Sequence, residues 1–278
     1  MTTPASPPVA SPPGAPPSMS SYWYAPAGEL LVPTPLTIGP WDPRLQHGGP
    51  PAALLARAIE ALDGGEAFVT TRITVDLLRP IPLARLRAAA QLARGGRQAR
   101  WIDASLEHEG VEVARARAVQ VLRRELALPP PHTPLEPPLA PPEAASPPFE
   151  FPFFPCDPAY HRAIELRVLH GAWPLGPVTV WARPLVELVA GEPLAGVPLV
   201  LALADAINGF APALPMGGFR FVNADLQVSL RRPPVGPWIG FAVRSTPDAC
   251  GAGLVHARLF DGTGELGFAS ESLVLTPL

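Results

Sequence analysis

Apolar residues recur at helical spacing over residues 52–62 (AALLARAIEAL) and alternate with polar ones over the stretches that follow. The helix is led in by His47-Gly48-Gly49-Pro50-Pro51, where proline is tolerated because first-turn amides have no intrahelical partner. Gly64-Gly65 is expected to end it. Residues 29–38 predict a lead-in strand or two, and strands are predicted at 68–78, 83–92, 99–108 and 112–123, with turns at Gly95-Gly96 and Glu109-Gly110. The same order then returns: a strand at 178–183, a helix at 199–211 (LVLALADAINGFA), and strands at 219–230, 238–245, 253–260 and 266–275. Arg79-Pro80 and Arg232-Pro233 each follow an apolar strand, and 42 residues lead from each proline to the closing Val-Leu, at Leu122 and Leu275. Matching order and matching spacing together imply an internal duplication.

The second helix is apolar on almost every face, which a surface helix is not. It has to be enclosed, and a strongly curved antiparallel sheet wrapped round a central helix would enclose it. The predicted fold class is therefore α+β, a double hotdog of two tandem domains; an α+β sandwich of another topology is the alternative. A chain of 278 residues is comfortable for two such domains.

Composition sets the boundaries. The chain has 41 prolines, and they cluster. Residues 1–20 are Pro/Ser/Ala-rich without periodicity and read as a disordered tail. A second cluster at 127–158 reads as a linker between an N-terminal domain at 21–126 and a C-terminal domain at 159–278. Its FEFPFF segment, residues 149–154, is aromatic enough to pack on a domain surface. A formal charge of -3 argues against nucleic acid or anionic membranes as partners. Cys156 and Cys250 are too few for a disulfide framework. No apolar run is long enough to span a membrane, and the N-terminus lacks a signal-peptide pattern, so a cytoplasmic location is expected.

Residues 39–60 (GPWDPRLQHGGPPAALLARAIE), with Leu203-Ala204-Asp205 and the later VNADLQVSLRRP, resemble the acyl-CoA thioesterase-like superfamily with two hotdog domains, relatives of bacterial acyl-CoA thioesterase II. The resemblance runs from about Tyr22 to Leu278 and implies an acyl-CoA substrate and a role in fatty acid metabolism. It also allows a homodimer, since an outer sheet face commonly pairs in related proteins. In single-domain relatives the paired glycines start the helix and polarise the thioester carbonyl, while an Asp about nine residues after the His works across a dimer interface. In this chain, nine residues on from His47 stands Ala56, whereas Asp205 lies in the second helix behind Gly196-Val197-Pro198. One composite site follows, with donors from Gly48 and Gly49 and the acid from Asp205; the mirror site is expected to be inert. In acyl-CoA thioesterase II the Asp acts with a Thr and a Gln to hold the attacking water. The Thr position falls on Asn223 and the Gln position on about Ser272, with Glu271 adjacent.

Each residue has a plainer role open to it. Asp205 is expected mid-helix, where an acid among Leu, Val and Ala needs a partner or a function. His47 either binds substrate or caps the helix beside Trp41. The glycines may serve only a tight turn. Arg79 and Arg232 either meet coenzyme A phosphates or stand solvated at strand ends. His108, His132, His161, His170 and His256 show no ligand spacing, so no metal is expected. No Gly-x-Ser-x-Gly elbow, phosphate loop or dinucleotide fingerprint occurs, and no cofactor is expected. Two function classes stay open: a thioester hydrolase, and a non-catalytic acyl or acyl-CoA binding module.

Overall fold

A computed structural model of the chain describes residues 20–62, 67–130 and 136–278. The expected tail and the Gly64-Gly65 helix stop lie outside the described residues, the tail but for its last residue. The chain begins with strands β1 (Tyr22–Ala27) and β2 (Leu30–Pro33) and a 3-10 turn at Pro35–Thr37. Pro33 and Pro35 lack amide hydrogens, which is why the apolar run at 29–38 does not continue as one strand. Helix α1 (Gly49–Ala61) follows, then the meander β3 (Phe68–Leu77), β4 (Arg87–Arg94), β5 (Ala99–His108) and β6 (Val111–Leu122).

The second half opens with a strand the sequence pattern does not suggest, β7 (Ile164–Ala172), paired with β8 (Leu175–Pro184). A short β9 (Glu187–Val189) runs parallel to β1, tying the start of the chain to its second half. Helix α2 (Gly196–Ala204) and a single turn α3 (Ile207–Phe210) replace the one long helix expected at 199–211. The strand expected at 219–230 is likewise two, β10 (Phe219–Asn223) and β11 (Asp225–Leu230), broken at Ala224. Strands β12 (Ile239–Pro247), β13 (Ala252–Asp261) and β14 (Gly264–Pro277) complete the second meander.

The two meanders form one continuous sheet in the order β4-β5-β6-β3-β11-β14-β13-β12-β8-β7, with β10 on β14, joined where β3 pairs antiparallel with β11. The order on one side of that joint is mirrored on the other, which is the architecture of a double hotdog. Register carries the duplication to single residues: Thr70 faces Gln120 in the first half and Asn223 faces Leu273 in the second, fifty residues apart in each case. The curved sheet wraps α1 and α2, which pack on each other, and from Val197 to Ala204 every residue of α2 is buried. That enclosure answers the apolarity of its sequence.

The proline-rich segment is strapped to the second half. Ser146 and Phe149 amides donate to the carbonyls of Val168 and Leu166 on β7, and Trp181 Nε1 donates to Ala140 O. Phe149, Phe151, Phe153 and Phe154 pack edge and face against one another, Trp173 and Phe210. Phe151, Phe153, Phe154 and Phe210 line a small recess that also borders Trp41, His47 and Tyr160.

Candidate active site

The loop before α1 is held from three directions. The His47 amide donates to Thr37 O at 2.7 Å and the Gln46 amide to Ile81 O at 2.8 Å. The Gln46 side chain accepts from Tyr24 Oη at 2.6 Å and donates to Pro82 O at 2.7 Å. The His47 ring lies flat on Tyr160, centroids 3.8 Å apart, and Tyr160 Oη donates to Ala202 O in α2 at 2.7 Å. Burial raises the Tyr160 phenol well above its usual pKa, so it stays a donor. Because Pro50 and Pro51 carry no N–H, the start of α1 offers only the amides of Gly48 and Gly49 to a ligand. Gly49 N–H reaches His47 Nδ1 at 3.1 Å, and Gly48 N–H has no protein acceptor among the described residues.

Asp205 caps the C-terminal end of α2 and does not sit mid-helix as its sequence context suggests. A carboxylate there faces the negative end of the helix dipole, so it depends on donors from elsewhere. Asn223 Nδ2 donates to its Oδ1 at 2.5 Å, and His47 Nδ1 lies 3.0 Å from its Oδ2. The side chain is 2% exposed. A Cβ built on Gly48 would fall 2.6 and 2.7 Å from the two Asp205 oxygens, so only glycine lets the acid close on the α1 terminus. At Gly49 the same test meets Ala202 O at 2.4 Å. The structure thus brings His47, Gly48, Gly49, Asp205 and Asn223 together from both halves.

His47 Nδ1 cannot serve both neighbours at once. Unprotonated it accepts from Gly49; protonated it donates to Asp205 and releases the Gly49 amide. The second arrangement gives two free N–H groups side by side next to a carboxylate.

Ser272 is not part of this group. It is exposed on the outer face of β14, and its backbone N–H donates to Asp225 Oδ1 at 2.7 Å. Strand side chains alternate faces, so its neighbour Glu271 points inward instead. Glu271 is 1% exposed with both carboxyl oxygens unpartnered. Burial above all, then the charges of Asp205 and Asp225, raise its pKa well above the carboxylate range. The period-two run Ala269, Glu271, Leu273 carried that signal in the sequence; Tyr160 and Asn208, which also border the site, carried none.

His47, Gly48, Asp205, Asn208 and Asn223 line a cleft of about 450 Å³ walled by Trp41, Leu77, Ile81, Val222 and Val274, with Arg79 and Arg220 also lining it. Arg79 is thereby placed as a candidate anion contact, and Arg232 is not. Arg232 is held by Asp261 in a two-pronged pair whose other donors are the Val235 and Thr263 amides. A larger hollow of about 680 Å³ lies on the outer face of β3 to β6, but its charges neutralise each other as Arg115–Asp76 and Arg117–Asp103. At the opposite end of the helix pair, the Glu60 carboxyl stands beside Gly196 at the start of α2 and accepts from Thr70 Oγ1. Among the described residues no group of three or more His, Cys, Asp or Glu is placed to hold a metal ion. No helix of the described residues is long and apolar enough to cross a membrane.

Comparison with known proteins bears on the family and the fold. Residues 37–121 match the family described as the acyl-CoA thioesterase N-terminal domain, and residues 135–269 match its C-terminal domain. No protein of curated function matches the sequence. Among solved structures, a tesB protein of Mycobacterium avium subspecies paratuberculosis superposes with a TM-score of 0.66 at 17% identity, over 91% of this chain and 96% of that one. An acyl-CoA thioesterase II, TesB2, of Mycobacterium marinum gives 0.61 at 14%, over 83% and 89%. A hot dog fold protein of Alicyclobacillus acidocaldarius gives 0.65 at 15%, over 92% and 95%. At these identities the structures speak to the fold.

Proposed function

The chain belongs to the acyl-CoA thioesterase family, and on that premise we propose that it hydrolyses an acyl-CoA thioester by water attack at one composite site between its halves. The observation that carries this reading is the Asp205 carboxyl pressed against Gly48 at the open start of α1. The thioester carbonyl accepts from the Gly48 N–H, joined by Gly49 when His47 turns its Nδ1–H to Asp205. Asp205, oriented by Asn223 and His47, accepts a proton from the attacking water. Collapse of the tetrahedral intermediate then breaks the C–S bond, and the thiolate takes the proton back. The apolar cleft wall holds the acyl chain. The mirror end is inert in this reading, because the Glu60 carboxyl stands beside Gly196, where the oxyanion would have to bind.

A thiol-release assay with short, medium, long and aromatic acyl-CoAs tests the proposal. Turnover of at least one supports it. Tight binding without thiol release from any of them would favour the second reading, an acyl-CoA binding protein, for which Asn223 in the place of a hydroxyl residue speaks.

Arg79 lines the cleft and has no ion-pair partner among the described residues. Arg79→Ala should raise KM for acyl-CoA by roughly 2- to 5-fold with kcat unchanged, the scale of one solvent-exposed charge contact. KM for an acyl thioester lacking the phosphates should not move; equal effects on both would remove Arg79 from the phosphate site.

A further inference from the structure

Glu271 is a buried acid for which thioester hydrolysis as derived above has no use. It projects from β14 beneath Asp205, 1% exposed, and neither oxygen meets a hydrogen-bond donor among the described residues. The Asn208 amide is turned toward it from α3 without reaching hydrogen-bond geometry. The groups that face it are anionic or neutral: Asp205 from the end of α2, Asp225 from β11, and Tyr160 from the segment ahead of β7, with His47 beyond Asp205. A dry, unpartnered carboxylate among acids is prohibitively unfavourable, whereas a neutral carboxylic acid there needs only an acceptor for its proton.

Resting on the hydrolytic reading of this cleft, we propose that Glu271 is a positioning residue that acts as a neutral carboxylic acid, donating its proton toward Asp205 and so holding that side chain oriented for the attacking water. Asp205 faces it from the end of α2, and its other two contacts, Asn223 and His47, leave lone pairs free. Asp225 is already engaged by the Ser272 amide. The carboxyl burial that raises the Glu271 pKa fits this role.

The consequence is an alkaline limit on activity. Losing the Glu271 proton sets two carboxylates against each other and removes the donor. Glu271→Gln keeps a donor of the same shape but cannot titrate. Its kcat/KM should stay within about threefold of wild type near neutrality, and its alkaline limb should move up or vanish. Stability carries the same sign: an acid with a raised folded pKa binds its proton more tightly folded than unfolded, so wild type loses stability as pH rises from the carboxylate range through that raised value. The melting temperature of E271Q should therefore pull ahead of wild type as pH increases. A protonated-carboxyl infrared band should be present in wild type at neutral pH and missing from E271Q.

An E271Q variant that melts like wild type but loses more than about tenfold in kcat/KM would overturn the proposal, since an ionised group would then be required. So would an unchanged alkaline limb. If E271Q does not fold, the wild-type infrared titration decides: a carboxyl band that bleaches together with the alkaline limb supports the inference, and its absence at neutral pH rejects it. Wild type that releases no thiol from any acyl-CoA sinks the hydrolase reading instead, and the infrared and stability titrations still report the Glu271 proton.

Discussion

Asp205→Asn is expected to lower kcat/KM by about 10²- to 10⁴-fold, the usual contribution of a positioned general base, with the melting temperature close to wild type. The stability half of that expectation follows from the contacts. An asparagine can keep its oxygen toward Asn223 Nδ2 and turn its amide to His47 Nδ1, which in its other tautomer is an acceptor. The substitution therefore preserves the local hydrogen bonds and removes only the proton-accepting oxygen. Kinetics on thiol release together with a thermal melt separate the two effects. A loss below about threefold would remove Asp205 from the chemistry, and a collapse of the melting temperature would assign it to structure.

Gly48→Ala should be nearly as damaging, for a steric reason confined to the site. Gly48 has φ of -68° and ψ of -23°, a conformation open to any residue, so the backbone itself bears no strain from the change. The added methyl would instead fall 2.6 Å from Asp205 Oδ1 and 2.9 Å from Cγ, well inside contact distance. Either the acid or the loop has to move, and both the water-holding group and the oxyanion donor go out of line. A drop of about 10²- to 10³-fold in kcat/KM is expected, on the scale of losing one oxyanion donor. Overpacking should add a stability loss of roughly 1–3 kcal/mol. Placing the same change in an Asp205→Ala background tests the cause: the stability penalty should shrink once the carboxyl is gone. A penalty of the same size in both backgrounds would trace the damage to α1 packing.

Much of this arrangement was legible along the chain, and the misses have local causes. His47-Gly48-Gly49 ahead of two prolines was legible through its resemblance to the glycine loop of the thioesterase family. Asp205 stood out as the one acid in an apolar helix. That the helix stops there was not readable, because LVLALADAINGFA has no proline or early glycine to end it; the stop depends on contacts from His47 and Asn223, which are 158 and 18 residues away. Choosing between Ser272 and Glu271 was a one-residue question, and in a strand one residue exchanges the inner face for the outer. The break at Ala224 follows from its amide bonding Ser272 O while its carbonyl takes the Leu77 amide across the domain joint, a tertiary demand with no local signature. The pairing of β1 with β9 was missed because Tyr22 and Glu187 are far apart in sequence; β7 hairpins with its neighbour β8, but Ile164, Glu165 and Leu166 are all buried in succession, so it lacks the period-two alternation that marks a strand. The arginines divided by their environment: Arg79 and Arg232 look alike as Arg-Pro pairs, and only the buried Asp261 distinguishes them.

The sharing of this cleft between α1 and α2 also bears on how such a protein can change over generations. The two halves bring unlike parts to it: α1 carries the glycine loop and α2 ends on the aspartate. In the proposed mechanism a change in either helix disturbs the other, because Gly48 closes on Asp205 and Gly49 on the Ala202 carbonyl. New substrate preferences are therefore free to arise only at the rim, in side chains such as Trp41, Val222 and the phenylalanine panel, where a substitution reshapes the space for the acyl group without disturbing the hydrogen bonds that hold the acid.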